Sequence, residues 1–148
     1  MIAYVDSSVL ARAYLGDEGG SADARRLLAD RSVAKFTGRW TRIEVSAAIV
    51  RAYRSGRNVV QAEALGELDA DLQDEGGRVA ILSAPGDDVE TRALEIARAH
   101  GLRALDALHI ALASVALPQL ADVGEPLGFA SRDGDQATVA ESLGFARI

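Results

Sequence analysis

The chain has no cysteine. That excludes disulfides, thiol catalysis and Cys-ligated zinc, and it suits a cytoplasmic location. No stretch approaches the roughly 20 consecutive apolar residues of a membrane span. No basic segment precedes an apolar run at the N-terminus, so no secretory signal is expected. Internal repeats, low-complexity tracts and linker-like segments are also missing. Lysine is nearly absent: Lys35 is the only one, and the other basic side chains are arginines. Histidine occurs twice, as His100 and His109.

What remains describes a folded protein. At 148 residues, with 49% apolar side chains, the chain is long enough for one domain over residues 1–148 with a real core. The net charge of −6 argues at first against a nucleic-acid partner. Its distribution argues otherwise. Residues 1–60 carry 10 basic and 6 acidic side chains, while residues 61–148 carry 6 and 16. Within 31–60, seven basic residues surround a single acid, Glu44. The planar guanidinium fork suits phosphate, though solvated helix faces give the same composition.

Strand-like and helix-like segments alternate. Strands are expected at Ile2–Val5, Val33–Thr37, Arg78–Leu82, Leu127–Ala130 and Phe145–Ile148. Helices are expected at Val9–Leu15, from a Ser21 cap to about Arg31, and at Thr41–Arg54, Val59–Glu75, Asp87–His100 and Asp135–Leu143. A strongly apolar helix should cover Leu102–Leu117 and stop at Pro118. The alternation predicts an α/β fold, a parallel sheet covered by helices on both faces. Ligands of such folds gather beyond the carboxyl ends of the strands.

Four isolated carboxylates stand out against this frame. Asp6, in "YVDSSVL", directly follows the first strand. It could cap a helix, but Ser7 or Ser8 could do that equally well. Glu44, in "TRIEVSAAI", lies in a first helical turn, where an acid also complements the helix dipole. Asp106, in "LRALDALHIALA", is embedded in a helix apolar on most sides, where an ionised group is costly unless paired or metal-bound. Asp133, in "FASRDGDQA", again follows a strand. It makes a capping box with Gln136, and Asp135 offers an alternative cap. His109, one turn after Asp106, reads as a satisfied core residue. Trp40 reads as core packing in preference to a stacking platform for bases.

Four carboxylates facing one crevice would repel one another, and a divalent cation would relieve this. Oxygen ligands without sulfur or imidazole select Mg²⁺ or Mn²⁺ over zinc. Such ions serve phosphoryl transfer, and Arg42, Arg51 or Arg54 could hold flanking phosphates. The four quoted stretches resemble, in order and spacing, the acidic motifs of the PIN domain family. Length and layout are similar to the VapC toxins of bacterial toxin–antitoxin pairs. The resemblance covers essentially the whole chain. It implies a three-layer α/β/α sandwich with a parallel five-stranded sheet, and a metal-dependent endoribonuclease acting on RNA. It also implies Mg²⁺ or Mn²⁺ at Asp6, Glu44, Asp106 and Asp133, a homodimer, and inhibition by a cognate antitoxin protein. Ser8 falls on the family's small hydroxyl position after the first acid. The fourth motif departs from the family's Thr-x-Asp: here it reads Ser131-Arg132-Asp133, which leaves Asp133 and Asp135 both open as the fourth ligand. Two rivals are a non-catalytic RNA- or protein-binding module and an aspartyl phosphatase. The latter fits poorly, because Asp6 opens no D-x-D pair.

Overall fold

Every residue of Ile2–Val5 is buried, as a strand must be when it has neighbours at both edges and helices on both faces. In the computed structural model, which describes residues 1–16, 19–73 and 75–148, this strand, β1, is the middle of the sheet. The others are β2 (Ala34–Gly38), β3 (Ala80–Leu82), β4 (Leu127–Ala130) and β5 (Ala146–Arg147). All pairings are parallel, in the order β3-β2-β1-β4-β5.

Side chains alternate across the strands, and two cores result. Ile2, Tyr4 and Phe129 face α5 (Gly86–His100), α6 (Ala104–Leu120) and α7 (Gly134–Ser142). Val5 and Ala130 face α1 (Ser7–Leu15), α2 (Ser21–Ala29), α3 (Thr41–Arg54) and α4 (Gln61–Asp71). The architecture is the expected three-layer α/β/α sandwich. No helix among the described residues is long and apolar enough to cross a membrane.

The chain leaves β1 toward β2 and leaves β4 toward β5, in opposite directions along the sheet. The crevice at this reversal, beyond the carboxyl ends of two adjacent strands, is where α/β sheets hold ligands. Asp6 follows β1 and Asp133 follows β4 within three residues.

Several boundaries differ from the expectations. Helix α6 runs through Pro118 to Leu120. In the last turn, proline removes only the N–H that Ser114 would have accepted from, and the Gln119 amide caps the Val115 carbonyl at 2.8 Å. Helix α4 ends at Asp71 rather than Glu75; Asp74, inside that expected span, lies outside the described residues. Arg78 is not in β3. It pairs instead with Asp71, a buried carboxylate that also accepts from the Tyr14 hydroxyl at 2.7 Å. Ser21 does not cap α2. The cap position is Gly20, at φ +85°, and the Arg132 guanidinium lies where a β-carbon would be.

Candidate active site

All four carboxylates named from the sequence line one cleft of about 540 Å³. Each reaches it from a helix N-terminus. Asp6 and Asp133 are the N-caps of α1 and α7, and Glu44 and Asp106 lie in the first turns of α3 and α6. Four positive dipole ends therefore meet four negative side chains.

Asp6 is buried. Its Oδ2 accepts the Ser8 N–H at 2.9 Å, so Asp6 is itself the cap and neither serine takes that role. The Ser8 hydroxyl instead accepts the Arg132 N–H at 3.0 Å, tying the β1–α1 junction to the β4–α7 junction. The second oxygen of Asp6, Oδ1, receives the Gln136 amide at 3.3 Å. Asp133 Oδ1 accepts the N–H groups of Asp135 and Gln136 at 3.0 and 3.1 Å. Asp135 is exposed and does not line the cleft.

Three residues at the cleft carry more than their sequence positions suggested. Arg103 spans two acids: Nε donates to Asp106 Oδ2 at 2.7 Å and Nη2 to Asp133 Oδ2 at 3.1 Å. The bond to Asp106, then the charges of Asp106 and Asp133, hold its pKa above the ordinary value. Its three-residue spacing from Asp106 is the one signal that could have found it. Gln136 is fully buried. Its backbone N–H is capped by Asp133, but its side chain does not complete the expected capping box: Oε1 accepts from Ser131 Oγ at 2.5 Å, and Nε2 donates to Asp6 and to the Asp106 carbonyl, each at 3.3 Å. His109 is buried as expected, yet its Nε2 bonds Glu44 Oε2 at 2.8 Å.

The arginines that line the cleft are Arg12, Arg103 and Arg132. Arg42, Arg51 and Arg54 do not line it; Arg42 is engaged with Asp69 at 2.7 and 2.9 Å. Formally, four carboxylates there face three guanidiniums.

Among the described residues, no three acidic or histidine side chains are grouped tightly enough to hold a cation as they stand. The reason is visible in the contacts: Arg103 draws Asp106 and Asp133 to itself, and His109 holds Glu44. The donor chemistry still fits a hard dication, because several carboxylate oxygens and no sulfur share one open cleft.

A five-stranded parallel sheet with helices on both faces and acids at its carboxyl edge defines a three-layer α/β/α fold with an acidic crevice. A family model described as the PIN domain matches residues 3–141, and the chain belongs to that family. PIN domains are generally nucleases, hydrolases of phosphodiester bonds, and they commonly use divalent metals. No curated protein matches the chain.

Proposed function

We propose that the chain is a Mg²⁺- or Mn²⁺-dependent endoribonuclease, a single nuclease domain that acts in the cytoplasm. The observation that supports this most is the meeting of Asp6, Glu44, Asp106 and Asp133 at one cleft beyond the carboxyl ends of β1 and β4. Asp6, Asp106 and Asp133 would hold the cation, with Glu44 alongside. When bound, such an ion supplies an activated water and offsets charge on the phosphate. Glu44 would orient the attacking water and accept its proton. Arg12 and Arg132 receive the phosphates on either side of the scissile bond. Arg103, which bridges Asp106 and Asp133 here, would be available to the phosphate if a cation took those two acids.

We extend the proposal to a toxin of the VapC kind, a homodimer restrained by a cognate antitoxin protein. The motif likeness and length support this extension. Growth arrest on expression, relieved by the product of an adjacent short reading frame, tests it.

The Arg103 bridge, and the lack of a close-set acidic group among the described residues, favour a second reading, a non-catalytic module that binds RNA or protein. One experiment separates the two: Mg²⁺ and Mn²⁺ titrations of single-stranded RNA cleavage by the parent and by Asp6→Asn. The nuclease reading expects metal-dependent cutting by the parent and near-total loss in the variant. Equal cutting by both, or none by either, overturns it.

A further inference from the structure

His109 is a buried side chain behind Asp6 and Glu44, two of the acids that line the cleft. It is 1% exposed, and both ring nitrogens are engaged. Nδ1 meets the Tyr4 hydroxyl at 2.7 Å and the Trp40 indole Nε1 at 3.3 Å. An indole nitrogen donates and cannot accept. Nδ1 must therefore present its lone pair, and the Tyr4 hydroxyl must donate to the same atom. Burial first, and then the charge of Asp6, push the Tyr4 phenol well above its ordinary pKa, so it keeps that proton.

The ring's one proton is then on Nε2, which faces Glu44 Oε2 at 2.8 Å and Asp6 Oδ1 at 3.5 Å. The first is a hydrogen bond. The second is too long to share the proton equally, so Asp6 feels chiefly the ring dipole and keeps Oδ1 for Gln136.

We propose that His109 is a positioning residue: Trp40 and Tyr4 lock it as the neutral Nε2–H tautomer, and that N–H fixes the Glu44 carboxylate beside Asp6. The arrangement works as histidine-holding carboxylates do around metal ligands, with the roles reversed. The lock is tightly built. A β-carbon on Gly38 would lie 2.8 Å from the Tyr4 oxygen and 3.0 Å from Trp40 Cε2, so only glycine fits under the two donors. The edge-on packing of both rings on the imidazole, at centroid distances of 5.6 and 5.8 Å, holds its plane. Its consequence for cleavage rests on the nuclease reading; the tautomer does not.

The test has two arms. Long-range ¹H–¹⁵N NMR of the whole chain, without metal or RNA, reads the tautomer directly, and His100→Gln assigns the two histidine signals. A protonated Nε2 with a bare Nδ1 is expected, and Glu44→Gln should displace the Nε2 signal. A proton on Nδ1, or an Nε2 signal unmoved by Glu44→Gln, overturns the proposal.

The second arm compares His109→Gln, whose amide N–H can stand where Nε2–H stood, with His109→Leu, which fills the space without a donor. With folding checked by thermal melts, the Gln variant should keep most of kcat. The Leu variant should lose about 10–100-fold with KM little changed. A Leu variant as active as the Gln variant overturns the positioning role. Should the parent cut no RNA at any Mg²⁺ or Mn²⁺ level, the nuclease reading fails alone, and the NMR arm still decides His109.

Discussion

The Asp6 carboxylate divides its two oxygens between folding and the cleft. Oδ2 caps α1, and Oδ1 meets Gln136. Asparagine caps as well as aspartate, so Asp6→Asn should keep the α1 cap while losing cleavage, although its amide nitrogen would meet the Gln136 amide where Oδ1 accepted it. Asp6→Ala should lose cleavage and, in addition, about 1 kcal/mol of stability, read by urea unfolding. Gln136→Met is read through stability. It keeps the length of the side chain but leaves the buried Ser131 hydroxyl without its 2.5 Å acceptor. A cost of about 1–3 kcal/mol is expected, with a lower Tm even without metal; an unchanged Tm would show that Ser131 finds another partner. The acids were legible because an isolated carboxylate beside apolar residues conflicts with burial. The roles of Gln136 and His109 were not. Gln136 touches Asp6 across 130 residues, and His109 touches Glu44 across 65, and no local pattern encodes such contacts.

At the level of elements, the alternation of apolar runs and helical spacing carried the strand count, the parallel sheet and most helix starts. The ends of α1, α3 and α5 were also as expected, at Leu15, Arg54 and His100, but those of α4 and α6 were not, because they depend on what the neighbouring chain supplies. Pro118 marks a stop in sequence, yet it costs the last turn of α6 only one donor, and the helix continues to Leu120. The end of α4 was misread for the converse reason. The chain must double back closely there, and a β-carbon on Gly77 would lie 2.6 and 2.5 Å from the carbonyl oxygens of Asp71 and Gln73. Those are backbone atoms and cannot swing aside. Gly77→Ala should therefore destabilise the fold by about 1–3 kcal/mol, measured by chemical denaturation. Gly77 does not line the cleft, so kcat per folded molecule should be unchanged. A variant as stable as the parent would mean that the α4–β3 connection relaxes more easily than its geometry implies.

Across the whole molecule, the two layers respond to alkali together. Tyr4 is buried in the core on one face of the sheet and Tyr14 in the core on the other. Burial is the first cause of a raised pKa in both. The charge of Asp6 follows for Tyr4, and the hydrogen bond to Asp71 for Tyr14. The unfolded chain releases phenol protons near pH 10; the folded chain holds them to higher pH. The folded state thus binds more protons above about pH 10, and stability must fall as pH rises there. The slope is about 1.4 kcal/mol per pH unit for each tyrosine once the unfolded phenols are fully ionised. Lys35 acts in the opposite sense just below that range. Burial lowers its pKa, so the folded state gives up that proton first and gains stability as pH climbs toward lysine's ordinary value. The expected curve therefore bends downward only above about pH 10, and the absorbance of the Tyr4 and Tyr14 phenolates should rise together with the loss of far-UV circular dichroism. Tyr14→Phe should remove one tyrosine's share of the falling slope and leave the Tyr4 share in place. Phenolate signals from these two residues in a chain whose dichroism is still native would show that at least one of the cores admits the charge.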